Sequence, residues 1–416
     1  MMLNQQTLRM RPAACASYPA RGIHRAGVST SARVSQRHRA LTGGANLDGA
    51  SGASRRMRGD VGASAGVGGG SNYKYVVAGD IGGTNARFQL WRIFDDGTRD
   101  KELAYRKKYP TRDYATFVDA LLQFEVDCIA ELSEAEYAKP EAAAFAAAGV
   151  VDKHSYCQMT NLNWTLDATE IEKRTGWHRV NVLNDFEAVG YGVLATPPED
   201  MHPIHEGGLP DDLEHGGIAS RGPKVVLGPG TGFGQAQLFW NDAVSDYTVM
   251  PSEGAHGDFA PRGAKQRRLA GFVEGMHGYC EIEHVCCGPG LENIYNFLRE
   301  DEGRESADMP APEIADAALA GTCPLAREAV EMLMHILGQE AGNWALRSLA
   351  QGGVFIAGGI TPKLLPIVKN GGLKNAYLHE ASRFSKVIRK IPLNLITTDD
   401  VGLSGSVFYA TRMLTL

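Results

Sequence analysis

No apolar run in this 416-residue chain is long enough to cross a membrane as a helix, so a soluble protein with no membrane partner is expected. Lysine and glutamate are missing from residues 1–70. That stretch holds ten arginines against two acids, Asp48 and Asp60, for a local net charge of +8. The whole chain carries −6, so the remainder carries −14. An acidic body of this kind lacks the basic surface that a nucleic-acid partner requires. No CxxC pair and no Cys/His spacing of the zinc type occurs. The seven cysteines (Cys15, Cys128, Cys157, Cys280, Cys286, Cys287 and Cys323) are odd in number and scattered, which fits reduced thiols and no disulfide framework.

The arginine-rich start also lacks the continuous apolar core of a secretory signal. Its Arg, Ala, Ser and Gly content is that of an organelle transit peptide. The plastid stroma is expected ahead of the mitochondrion. A cytoplasmic location follows if the segment is only a disordered basic tail. Val67 to Ser71 reads as a flexible junction, which sets residues 1–71 apart from the folded sequence.

Glycine, at 49 residues, is what the chain has in abundance. Two stretches concentrate it: Gly79-Asp80-Ile81-Gly82-Gly83-Thr84-Asn85 and Gly228-Pro229-Gly230-Thr231-Gly232-Phe233-Gly234. Each follows a short apolar run, Tyr75–Ala78 or Val225–Leu227, and so reads as a buried strand entering a tight turn. Without a Cβ, backbone N–H groups can close around a phosphate oxygen. Two such turns in one chain point to two lobes gripping one polyphosphate. Alternating residues after each turn, Arg87–Ile93 and Gln235–Trp240, make each the centre of a hairpin.

Around these units, helices are predicted over Thr116–Leu132, Phe186–Leu194, Ala326–Leu349 and Gly405–Met413, with a further one opening at Thr361-Pro362. Strands are predicted over Ala142–Val150, Val180–Leu183, Val354–Ala357 and Leu395–Thr397. Glu199–Pro223 is predicted to be a surface excursion. His202, His205 and His215 within it are too loosely spaced for a metal site. Interleaved strands and helices with a repeated hairpin-and-turn unit predict an α/β fold with a duplicated core.

Eight segments, in order, spell a family: GDIGGTNARF (79–88), MTNLNW (159–164), LNDFEAVG (183–190), LGPGTGFGQA (227–236), PSEGAHGDFAP (251–261), CCGPGLENIY (286–295), GGVFIAGGI (352–360) and VGLSGS (401–406). Over residues 72–416 the chain resembles the bacterial-type glucokinases, in the zinc-free branch of the hexokinase–actin–Hsp70 superfamily. The resemblance implies a two-lobed ribonuclease-H-like (actin-like ATPase) fold with a central cleft. It implies a small domain of residues 72–195 with 398–416 and a large domain of residues 196–397. It also implies transfer of the ATP γ-phosphoryl group to the 6-hydroxyl of glucose, and assembly as a homodimer.

The residues carry their own chemical reading. Asp80, an acid in a phosphate turn, needs an intervening cation and reads as a Mg²⁺ anchor acting through water. Gly79, Ile81, Gly82, Gly83, Thr84, Thr231 and Gly232 form the phosphate turns, and the resemblance places Gly358 and Gly359 at the adenosine. Asp185, where a strand meets a helix, either caps that helix or projects a carboxylate able to take a hydroxyl proton. The resemblance assigns it the second role, as general base. It assigns the sugar to Asn184, Asp185, Glu253, His256 and Glu283. Ala255 stands where the family usually has Gly, and Cys287 where Ser is common. Both substitutions bear on the breadth of sugars accepted, and the Cys286-Cys287 pair raises the question of redox sensitivity. Two other readings fit the same residues: a kinase using another hexose or a polyphosphate donor, and a sugar sensor that does not turn over.

Overall fold

A computed structural model describes residues 73–94, 101–207, 221–304 and 307–415. The transit-peptide reading, the glycine junction and His215 fall outside these residues. The chain begins with β1 (Tyr73–Ile81), β2 (Asn85–Phe94), β3 (Lys101–Pro110), α1 (Phe117–Leu132) and β4 (Ala142–Ala147). A small hairpin layer follows, β5 (Val151–Asp152), β6 (Tyr156–Gln158) and β7 (Thr165–Asp167), then α2 (Ala168–Thr175), β8 (Val180–Asn184) and α3 (Asp185–Ala195). Next come β9 (Met201–His205), β10 (Lys224–Pro229), β11 (Phe233–Asn241) and β12 (Asp246–Ser252), then α4 (Gly263–His277), α5 (Gly288–Asp301), α6 (Ala311–Ala320) and α7 (Pro324–Ser348). The described residues end with β13 (Gly353–Ile356), α8 (Ile360–Lys363), α9 (Leu365–Val368), α10 (Gly372–Leu378), α11 (Ser385–Ile388), β14 (Leu393–Ile396) and α12 (Val401–Arg412).

Two mixed sheets result, in the orders β3-β2-β1-β4-β8 and β12-β11-β10-β13-β14-β9. They repeat one plan. In each, a glycine turn joins an antiparallel pair, β1–β2 or β10–β11, and the first strand of the pair runs parallel to a later one, β4 or β13. The interior strand β4, Ala142–Ala147, is buried at every position, as a strand covered on both faces must be. One face of the first sheet packs Phe88 and Phe145 against Phe117 and Phe124 of α1. Its other face carries α3 and α12 and shares a core with the second sheet through Val76, Leu183, Val226 and Phe355. The long helix α7 lies in the core on the far side of the second sheet.

Helix α3 matters most for position, because Asp185 is its first residue. It crosses α12 closely. A Cβ at Gly405 would overlap the Ala188 carbonyl, and one at Gly192 would overlap that of Val401, so only glycine permits the approach.

Three local expectations are corrected. Gly79, Asp80 and Ile81 lie inside β1, in register with Phe88, Arg87 and Ala86, so the first turn proper is Gly82-Gly83-Thr84. Glu199–Pro223 is not wholly an excursion: Met201–His205 forms the edge strand β9 on β14, a place where Pro203 is tolerated. The hairpins each gain a further strand, β3 and β12, so both sheets are wider than the apolar runs foretold.

Candidate active site

Where the two glycine turns face each other, a cavity of about 880 Å³ opens. Gly83, Thr231, Gly232 and Gly358 line it from the turns, Asn184 and Asp185 from the joint of β8 and α3, and Glu253, His256 and Glu283 from the loops. Gly79, Asp80, Ile81, Gly82, Thr84 and Gly359 do not line it. The first three are strand residues, and Gly82 spends its N–H on the Asn85 carbonyl at 3.0 Å. Asp80 is clamped by Arg87, whose Nε lies 3.1 Å from Oδ2 and whose Nη2 meets the same oxygen. Arg87 also reaches Asp400 at 2.6 Å.

The capping role falls to the residue before Asp185. Asn184 is the N-cap of α3: its Oδ1 accepts from the N–H groups of Phe186 and Glu187 at 2.9 and 3.1 Å. Its amide donates to the Gly149 carbonyl at 3.1 Å. Asp185 is thereby relieved of the capping role, although its Oδ1 still accepts from Phe186 N–H at 2.9 Å. Burial pushes its carboxyl up from 3.8 to about 6, and the charges of Asp80 and Glu253 add to that rise. A carboxylate poised there can accept a proton near neutral pH.

The second turn is tied directly to this acid. Phe186 packs against Gly228 and Gly234, where any Cβ would overlap its ring. Glu283 Oε2 accepts from Phe233 N–H at 2.7 Å, which links the Glu283 loop to the same turn. Cys287, the N-cap of α5, donates through Sγ to the Glu283 carbonyl at 3.0 Å and accepts from Gly290 N–H at 3.3 Å. A thiol can fill a capping position where serine is common. Cys286 and Cys287 are both buried, and burial pushes the Cys287 thiol up to about 11, so neither is a reactive thiolate.

Sequence reasoning missed one residue of the cavity wall and two that hold its candidate residues in place. Arg87 carries no role in the sequence pattern beyond opening the alternation of β2; its pairing with Asp80 follows from the hairpin register. Gln235 is fully buried on the cavity wall, and its amide has no partner among the described residues. Glu281 holds His256, its Oε1 lying 3.1 Å from Nδ1. Among the described residues, His256, Glu281 and Glu283 bring donor atoms within 4.8 Å of one another. That mixed set is a poor match for Mg²⁺, which prefers oxygen ligands and retains water. Asp80 offers the carboxylate oxygens that Mg²⁺ prefers, and both Arg87 bonds fall on its Oδ2.

The glucokinase family model matches residues 77–413. The chain is 32% identical over 360 residues to the glucokinase of Nostoc punctiforme, covering 81% of this chain and 99% of that one. It is 34% identical over 335 residues to that of Sinorhizobium fredii, covering 80% and 91%. The crystal structure of a glucokinase from an Antarctic psychrotroph shares the fold with a TM-score of 0.70 at 26% identity, covering 82% of this chain and 99% of that one. The two-lobed α/β architecture is thus the actin-like ATPase fold of these sugar kinases. The chain belongs to the glucokinase family of ATP-dependent hexose kinases.

Proposed function

We propose that the cavity binds glucose against Asn184, Asp185, Glu253, His256 and Glu283, with the ATP phosphates between the Gly82–Thr84 and Gly230–Gly232 turns. Asp185 is the general base. As the sugar 6-oxygen forms its bond to the γ-phosphorus, its proton passes to the Asp185 carboxylate. The bond between that phosphorus and the bridging oxygen breaks, and its electron pair leaves with ADP. One observation carries this reading: the raised carboxyl of Asp185 and the Thr231 turn share one cavity, with Phe186 packed between them. Three carboxylates and an imidazole suit a polyhydroxylated ligand, because each accepts or donates to vicinal hydroxyls.

Asp80 is the residue that would hold Mg²⁺, which would supply neutralisation of the phosphate charge. Gly358 and Gly359 follow β13 at the adenosine end. Gly358 has φ +86° and lies close against Pro229, a backbone approach that a side chain would block. Ala255 is buried on the cavity wall and narrows it by one methyl group beside His256. The test is ADP release over a panel of hexoses with ATP and polyphosphate as donors. Glucose with ATP is the expected best pair. Faster turnover with another sugar or donor would reassign the substrate, and no ADP release with any pair would favour a sensor.

Residues 1–71 are proposed as the organelle address, plastid before mitochondrion, on their composition and on a family match that starts at residue 77. A fluorescent fusion of these residues tests it. The homodimer rests on family resemblance and is checked by light scattering.

A further inference from the structure

One buried acid beside the sugar loops has no part in this scheme. Glu281 is only 7% exposed. Its loop is stitched to that of His256: Ile282 N–H donates to the Gly257 carbonyl at 3.0 Å, and Phe259 N–H donates to that of Cys280 at 2.9 Å. Asp258 and Glu281 form an isolated bridge between the two loops. This backbone seam sets Glu281 Oε1 3.1 Å from His256 Nδ1. The other imidazole nitrogen, Nε2, lies 3.8 Å from Glu253 Oε2, a neighbour on the cavity wall.

We infer that Glu281 is a positioning residue for the sugar: it holds the Nδ1–H of His256 on a buried carboxylate and turns Nε2 toward the hexose. The inference rests on the proposed place of His256 in the sugar pocket. A buried carboxylate without a donor is costly, so the loop seam and the His256 bond stabilise each other. Asp185, Glu253 and Glu283 are all acceptors when ionised. Of the five sugar side chains, His256 alone can carry a positive charge. A donor held in one orientation complements hydroxyls whose own protons go to the acids.

The surrounding charges decide where the proton sits. His256 faces Glu281, Glu283 and Glu253, and its pKa is raised, first by the hydrogen bond to Glu281. On the far side of the carboxylate, His284 Nε2 lies 3.5 Å from the same Oε1. Its ring stacks on His277 at 4.3 Å, and burial lowers its pKa. Glu281 therefore sits between two imidazoles, of which the cavity-facing one retains its proton to higher pH. Below the raised pKa the protonated ring donates to the sugar. Above it that donation fades, so glucose KM rises on the alkaline side.

The experiment measures kcat and glucose KM from pH 6 to 9 on the full chain as wild type, Glu281→Gln, Glu281→Asp, His256→Gln and the Glu281→Gln/His256→Gln double variant, with thermal melting as a fold check. Glu281→Gln is expected to raise KM about tenfold, as loss of a charge-assisted hydrogen bond does, with kcat little changed. Its alkaline rise in KM should begin at lower pH, Glu281→Asp should restore part of the effect, and in the His256→Gln background Glu281→Gln should add nothing further. An unchanged KM and pH profile in Glu281→Gln, or an equal loss in both backgrounds, overturns the inference while His256→Gln still raises KM. If His256→Gln leaves KM unaltered, the sugar-pocket reading fails and this inference fails with it.

Discussion

The two glycine hairpins, β1–β2 and β10–β11, share a plan and differ in what they touch. Both close with a three-residue loop and both lie parallel to a neighbouring strand. The first is tethered by charge: Asp80 in the strand is clamped by Arg87, which also spans to Asp400 at the start of α12. Apart from Gly83 its residues stand back from the cavity. The second is tethered by packing and by the site itself. Gly228 and Gly234 accept the ring of Phe186, and Phe233 N–H is held by Glu283. A duplicated unit has thus become two devices: in the proposed scheme the first would hold the cation, and the second packs its turn against Phe186, the neighbour of Asp185.

The largest expected effect comes from the acid that the second hairpin holds. Asp185→Asn should lower kcat by ~10²–10⁴-fold, the usual contribution of a general base, while isothermal titration still detects glucose binding. The same variant should melt at a higher temperature above pH 6. The folded carboxyl titrates near 6 against 3.8 for an unperturbed one. Stability therefore falls as pH rises from about 4 to 6, as the folded state loses a proton that the unfolded state has already released, and a neutral amide removes that cost.

The next contrast sets glycine against glycine. Gly234→Ala pushes Phe186, and Asp185 with it, and should lower kcat about 10²-fold, in line with ångström-scale misplacement of a catalytic group. Gly79→Ala meets Phe145 and Phe88 in the core of the first sheet. It should cost roughly 1–3 kcal/mol of stability in denaturant titration and leave kcat nearer to wild type. Equal kinetic losses would erase the proposed division of labour. Asp80→Asn should raise the Mg²⁺ concentration for half-maximal rate several-fold, an effect that no substitution at Thr231 should reproduce. The smallest change is expected from Cys287→Ser: the hydroxyl caps α5 as the thiol does, so activity before and after peroxide should match that of the parent.

Much of this was legible because it is local. An apolar run ending in glycines announces itself without tertiary information, and Asn184-Asp185 at a strand-to-helix joint places a carboxylate at a sheet edge. The misses are those set by partners distant in sequence or by register. β3 buries only Tyr109 and carries five charged residues within KELAYRKK, so no apolar alternation marked it. β9 contains a proline and is a strand only because β14 offers an edge. The Asp80–Arg87 clamp depends on loop length, since a shift by one residue would send Arg87 to the opposite face. Nothing local in the sequence singles out Glu281; its place shows only once its loop is seen joined to that of His256.

The most direct test of the account is the pH dependence of kcat/KM for glucose, which reports groups of the free enzyme. The raised carboxyl of Asp185 predicts an acid limb with its midpoint near 6, displaced in Asp185→Glu. A rate that stays level from pH 5 to 7, or a limb identical in the two proteins, would contradict a base at position 185.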